Sequence, residues 1–132
     1  MTVYVFFLLM VKHFICDFAL QGRFKHQHDK YKLSSIKGLL HALDHALGTA
    51  LVFLFFASWC FAQGQTVFSS IILFGVLDFI CHLKIDWLKN NFVVANDMNQ
   101  DQRQYWILTS IDQIFHTITY LIFVVVFDIY FF

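Results

Sequence analysis

The chain has 132 residues, of which 59% are hydrophobic and 14% are charged, and its mean hydropathy is +0.64. A soluble domain of this size needs more charged residues to cover its surface, so the composition excludes an ordinary soluble protein and indicates a single membrane domain. The formal net charge is zero, which provides no attraction toward nucleic acid, and we expect no nucleic-acid partner.

Four apolar stretches are long enough to cross a lipid bilayer, which takes about 20 helical residues. In chain order they cover residues 3–20, 39–62, 67–88 and 106–130. All four are expected to be helices, because an open strand cannot satisfy its backbone hydrogen bonds in lipid. The predicted fold class is therefore all-α, a four-transmembrane-helix bundle. The polar stretch 90–104 is either a segment on the membrane surface or a plain loop.

The basic residues between the predicted helices indicate the orientation. The first connection carries five of them: Arg23, Lys25, Lys30, Lys32 and Lys37. The third connection carries Arg103, whereas the second connection and the C-terminal end carry none. By the positive-inside rule, the first and third connections are cytoplasmic, so both termini are predicted on the non-cytoplasmic side.

Each predicted helix also carries ionisable side chains four residues apart. The pairs are His13 with Asp17, His41 with His45, His82 with Asp86, and Asp112 with His116. Residues i and i+4 lie on the same face of a helix, so the two members of a pair can point at one spot. All four pairs are expected at one depth in the cytoplasmic half, because the first and third helices end there and the other two begin there.

These pairs predict a metal centre. An ionisable group inside a membrane costs about 2.5–3.5 kcal/mol on insertion scales, so the pairs should face the bundle interior and satisfy one another, water or a cation. Eight nitrogen and oxygen ligands on facing helices would suit two divalent ions, Zn, Mn or Fe. The predicted ligands are His13, Asp17, His41, His45, His82, Asp86, Asp112 and His116. A metal-free structural network and a proton or ion path are the alternatives that the pattern leaves open.

Three further polar residues lie close to the pairs in the sequence. Asp78 lies one turn deeper than His82, and Asp44 lies beside the face that carries His41 and His45. Either carboxylate could serve as a general base. Lys89 could contact a phosphate group of a substrate.

The four-part pattern resembles domain-of-unknown-function family 3307, a family of small bacterial and phage membrane proteins. The pattern consists of four segments: His13-x-x-x-Asp17-Phe18-x-Leu20-Gln21, His41-x-x-x-His45, His82-x-x-x-Asp86-x-x-Lys89 and Asp112-Gln113-x-x-His116. The resemblance runs from about Tyr4 to Phe123. It implies that the matched residues form a common site that includes Gln21, Lys89 and Gln113, and that the protein lies in an inner membrane. Asp44 and Asp78 are not part of the pattern, and the family name implies no activity.

The leading functional hypothesis is a membrane-embedded, metal-dependent hydrolase of a lipid-like or phosphate-bearing substrate at the cytoplasmic leaflet. An oxygen-using di-iron enzyme is a variant of it. One alternative is a transporter of divalent metal or protons; against it, the outer half of every helix is nearly free of polar groups, although a homodimer could supply a path. The other alternative is a structural or interaction protein of a phage or bacterium.

Overall fold

The structure is a computed structural model that describes residues 2–20, 33, 35–62 and 68–131. Its helices are α1 (Thr2–Phe14), which continues into a π-helical segment (Ile15–Leu20), α2 (Ile36–Ala62), α3 (Phe68–Ala95) and α4 (Arg103–Phe131). Within these ranges the chain contains no strand, as the all-α prediction requires. Most of the basic first connection, together with Gln21, lies outside the described residues.

Four segments are long and apolar enough to cross a membrane: Thr2–Leu20, Ile36–Ala57, Phe68–Ala95 and Arg103–Ile129. The outside of the bundle is covered with large apolar side chains, among them Phe7, which is 62% exposed, and Phe115, which is 54% exposed. Such a surface is unfavourable in water but is readily solvated by lipid tails. The prediction of four helices able to span a membrane is confirmed.

Helix α3 is longer than the sequence pattern indicated. It was expected to end near Leu88, but it continues to Ala95, so the first part of the polar stretch is helical. The side chains of Asn91 and Asn96 each donate to the carbonyl four residues earlier, at 2.8 Å, which accommodates polar residues on the last helical turns. The helix ends at Ala95, and Asp97, two residues later, has a left-handed φ of 48°.

The four helices form a ring in which α2 packs between α1 and α3, and α4 packs between α3 and α1. We call the end at which α1 and α3 finish and α2 and α4 begin the site end, and the opposite end the far end. The far half contains an apolar core whose aromatic members include Phe53, Phe74 and Phe127. The rings of Phe53 and Phe74 stack with centroids 4.5 Å apart. In the described part of the bundle, the buried ionisable groups therefore lie toward the site end.

Candidate metal centre

Five buried histidines form a single layer across the bundle. They are His13, His41, His45, His82 and His116, each 3% exposed or less. The His82 ring stacks between His45, at a centroid distance of 3.5 Å, and His116, at 4.1 Å, so imidazoles from three helices lie in one stack. The His13 ring contacts this stack from α1. The four sequence pairs therefore converge at one depth.

The Asp17 carboxylate lies at the middle of this layer. Its Oδ1 atom is 3.1 Å from His45 Nε2 and 3.2 Å from His41 Nε2. Its Oδ2 atom is 3.2 Å from His13 Nε2. Asp17 belongs to the π-helical segment that extends α1, and short π-helical segments are frequent at functional sites. This single carboxylate therefore reaches imidazoles of two helices.

Four of these side chains lie close enough together that they could hold one metal ion. Asp17, His41, His45 and His82 each offer one atom, and the four atoms lie within 4.8 Å of one another. An ion that binds its ligands at about 2.0–2.1 Å separates neighbouring ligands by about 3.3–3.4 Å. His41 Nε2 and His82 Nε2 are 3.2 Å apart, like the two distances to Asp17 Oδ1, while the distance from His82 Nε2 to that oxygen is 4.0 Å. Three of these separations are thus close to the tetrahedral value, whereas His82 Nε2 lies farther from Asp17 Oδ1.

The facing nitrogens of two imidazoles need either a shared proton or a cation between them. His41 Nε2 and His82 Nε2 face each other, and only one of two facing nitrogens can donate a proton. The other nitrogen then accepts that proton through its lone pair. Buried acceptors that face one another are unfavourable unless a proton or a cation lies between them.

A second group lies nearer the site end. Asp86, Asp112 and His116 also offer ligand atoms within 4.8 Å of one another. His116 Nε2 is 3.6 Å from Asp86 Oδ1 and 3.7 Å from Asp112 Oδ1, which is too long for hydrogen bonds. The Lys89 ammonium is 2.9 Å from Asp112 Oδ2 and 3.6 Å from Asp86 Oδ1. Lys89, expected to contact a phosphate, is thus ion-paired with two carboxylates of the centre.

Gln113 connects the two groups. Its side-chain nitrogen donates to Asp17 Oδ2 at 3.1 Å and to Asp112 Oδ2 at 3.3 Å. Its side-chain oxygen is 3.0 Å from His13 Nε2 and can accept a proton from it. His13 Nε2 is therefore engaged with Gln113, although His13 also forms a third possible ligand group with His82 and His116.

A protein-family model matches nearly the whole of the chain. The family model described as "Protein of unknown function (DUF3307)" matches residues 5–131. The chain belongs to the DUF3307 family. Comparisons with curated proteins and with solved structures gave no significant match. Two of the non-ligand residues in the DUF3307 resemblance, Lys89 and Gln113, contact the ligand groups, while Gln21 lies outside the described residues.

This DUF3307 protein has a further polar layer between the histidines and the far-end core. The Lys12 ammonium is 2.7 Å from Asp78 Oδ2 and donates to the Tyr120 hydroxyl at 2.7 Å and to the His45 carbonyl at 3.2 Å. Thr49 donates to the same oxygen of Asp78 at 2.6 Å. Asp78, expected to be a general base, therefore lies in a buried ion pair outside the ligand groups.

Sequence reasoning missed Lys12, Thr49 and Tyr120. Lys12 carried a signal, because it is a charged residue inside an apolar run next to a predicted ligand, and such a residue needs a buried partner. Thr49 and Tyr120 carried none, since both are common in membrane helices.

The other predicted base, Asp44, is half-buried on α2. Among the described residues it belongs to none of the three ligand groups. Its backbone carbonyl accepts the thiol proton of Cys16 at 3.7 Å. Asp44 is thus a neighbour of the π-helical segment that carries Asp17.

Proposed function

We propose that this DUF3307 protein is a membrane-embedded metal-binding protein that uses a divalent ion to hydrolyse a lipid-like or phosphate-bearing substrate. The observation that supports a bound metal ion is the group of Asp17, His41, His45 and His82, whose ligand atoms lie within 4.8 Å of one another and include three separations of 3.1 or 3.2 Å. Imidazole nitrogen and carboxylate oxygen without thiolate suit Zn, Mn or Fe.

A cavity between α3 and α4 supports a lipid-like substrate. It has a volume of about 290 Å³ and is lined by Ile85, Leu88, Lys89, Phe92, Leu108, Ile111, Asp112 and Phe115. Most of this lining is apolar, and Leu88 and Phe92 are 60% and 52% exposed on the lipid-facing surface. An acyl or prenyl tail could lie there with its polar group toward Lys89 and Asp112, beside the metal ligands. A bound metal ion would activate water and polarise the scissile group.

We further propose that the site end faces the cytoplasm of a cell with an inner membrane, and that both termini lie on the opposite side. Every Lys and Arg of the sequence except Lys12 belongs to the site end or to the connections there. The positive-inside rule assigns such an end to the cytoplasm.

Transport of metal or protons is less well supported. A transporter needs a polar path to both faces of the membrane. In the described part of the far half, Phe53, Phe74 and Phe127 fill the bundle axis at 3% exposure or less. The polar layers end at the Lys12–Asp78 pair, on the site-end side of this core.

Metal content tests the first part of the proposal. We expect detergent-purified protein to contain Zn, Mn or Fe by elemental analysis, and Asp17→Asn and His45→Ala to lose it. The matched control is Asp128→Asn, which removes a carboxylate at the far end, where Asp128 accepts a hydrogen bond from Thr2; this variant should keep the metal. Wild-type protein without bound metal would overturn the proposal.

Turnover tests the second part. Metal-loaded protein should release inorganic phosphate from vesicles that contain phosphatidic acid or a prenyl diphosphate, or fatty acid from phospholipid vesicles. Chelated protein should not, and re-addition of the metal should restore release. Metal-loaded protein that is inactive on all three probes would overturn the hydrolase proposal and leave metal binding standing.

A further inference from the structure

We infer, on the basis of the metal binding proposed above, that His13 and Gln113 are positioning residues of the centre and not metal ligands. His13 donates a proton to Gln113, and Gln113 in turn donates to the Asp17 carboxylate. These contacts hold one oxygen of Asp17 while the other faces the imidazoles of α2. The four-residue spacing had placed His13 among the predicted ligands, whereas its contacts favour a different role.

The orientation of the Gln113 amide follows from its partners. One end of the amide lies 3.1 Å from Asp17 Oδ2 and 3.3 Å from Asp112 Oδ2. Ionised carboxylates only accept hydrogen bonds, so this end is the nitrogen, which carries two protons. The opposite end is then the oxygen, and it lies 3.0 Å from His13 Nε2. An amide oxygen only accepts, so His13 Nε2 carries a proton.

A ring nitrogen that carries a proton has no lone pair left for a metal ion. The proton on His13 Nε2 is directed at Gln113, so this nitrogen is not a ligand. The other ring nitrogen, Nδ1, lies 3.4 Å from the Tyr120 hydroxyl. That hydroxyl accepts a proton from Lys12 at 2.7 Å, and it can donate its own proton to His13 Nδ1. Both ring nitrogens of His13 thus have protein partners, which fix the orientation of the ring.

The two oxygens of Asp17 have different neighbours. Oδ1 lies 3.1 Å from His45 Nε2 and 3.2 Å from His41 Nε2, on the side of the proposed ion. Oδ2 accepts from the Gln113 amide at 3.1 Å and lies 3.2 Å from His13 Nε2. A carboxylate ligand is kept in place by donors of this kind, and the loss of such a partner costs about 10–100-fold in metal affinity.

The protonation of His13 in the wild-type protein tests this inference directly. Long-range ¹H–¹⁵N NMR spectra of detergent-purified protein with labelled histidines distinguish a protonated ring nitrogen from an unprotonated one. Comparison with His13→Gln assigns the His13 signals. We expect Nε2 to be protonated both in the metal-depleted protein and with Zn²⁺ bound. An Nε2 atom that is unprotonated when Zn²⁺ is bound would overturn the inference.

Zn²⁺ affinity, measured by competition with a chelator, separates a positioning residue from a ligand. His13→Ala and Gln113→Leu should each weaken binding by about 10–100-fold. His13→Gln should bind nearly as tightly as the wild type, because a glutamine side-chain nitrogen can donate to Gln113 as the imidazole does. The same substitution at a proposed ligand, His45→Gln, is the matched control and should abolish binding.

Three further outcomes decide between the roles. A His13→Gln variant that loses Zn²⁺ as completely as His45→Gln would overturn the inference while metal binding stood. Wild-type affinity in both His13→Ala and Gln113→Leu would overturn it as well. Wild-type protein that binds no Zn²⁺ would instead overturn the proposed function, on which the inference rests.

Discussion

The aliphatic part of Lys12 lies directly against Gly48. A Cβ atom on residue 48 would lie 2.6 Å from Lys12 Cγ and 2.7 Å from Lys12 Cδ. The lysine cannot easily move aside, because its ammonium is held by Asp78 and Tyr120 at 2.7 Å each. Gly48 is therefore the position on α2 that allows Lys12 to extend from α1 into the bundle interior.

Gly48→Ala should destabilise the protein. The added methyl group would force the Lys12 chain out of place, and overpacking of this kind costs about 1–3 kcal/mol. Thermal unfolding in detergent measures the effect. Gly38→Ala is the control, since its Cβ would meet nothing closer than 3.9 Å and alanine favours a helix by up to about 1 kcal/mol. Equal melting temperatures for the two variants would contradict the close contact.

Lys12→Met should lower the free energy of unfolding more than the double substitution that removes both charges of the ion pair. It leaves the Asp78 carboxylate buried without its cation, and breaking a buried pair on one side costs about 3–5 kcal/mol. Adding Asp78→Asn removes the unpaired charge, so the double variant should regain part of the stability. A double-mutant cycle of unfolding free energies measures this coupling. Additive losses would show that the two groups do not interact.

Chelation should lower the stability of the wild-type protein. A ligand that binds only the folded state at 100 times its Kd stabilises by about 2.7 kcal/mol. We therefore expect the melting temperature to fall when the metal is removed and to recover when it is restored. Asp17→Asn should melt at one temperature with or without chelator. If the wild type also showed no difference, the bound ion would not contribute to stability.

Ile111→Trp should block the cavity between α3 and α4. Ile111 lines this cavity, and an indole there would fill the space proposed for the substrate tail. Turnover of the vesicle substrate should fall at least tenfold, while the metal content stays at the wild-type value. Ile114→Trp is the matched control, because Ile114 is 57% exposed on the same helix and is not part of the lining. An equal loss of turnover in both variants would argue against tail binding in this cavity.

Much of the architecture could be predicted from spacing alone. Helix length is set by the bilayer, and a four-residue spacing places His82 with Asp86, or Asp112 with His116, on one helical face. The eight predicted ligands are brought into one region for this reason. The extension of α3 to Ala95 could not be predicted in this way. Asparagine is typical of loops, and only the structure shows that the Asn91 side chain forms a hydrogen bond to a carbonyl of its own helix.

The sequence by itself determined that polar pairs on four apolar helices would meet at one depth, because helical periodicity and bilayer thickness leave little choice. Only the tertiary structure decided which of these polar side chains face one another. The rotation of each helix about its axis, and the direction taken by long side chains such as Lys12 and Lys89, depend on contacts between helices. Those contacts place Asp78 with Lys12, leave Asp17 with the imidazoles, and direct Lys89 to Asp112.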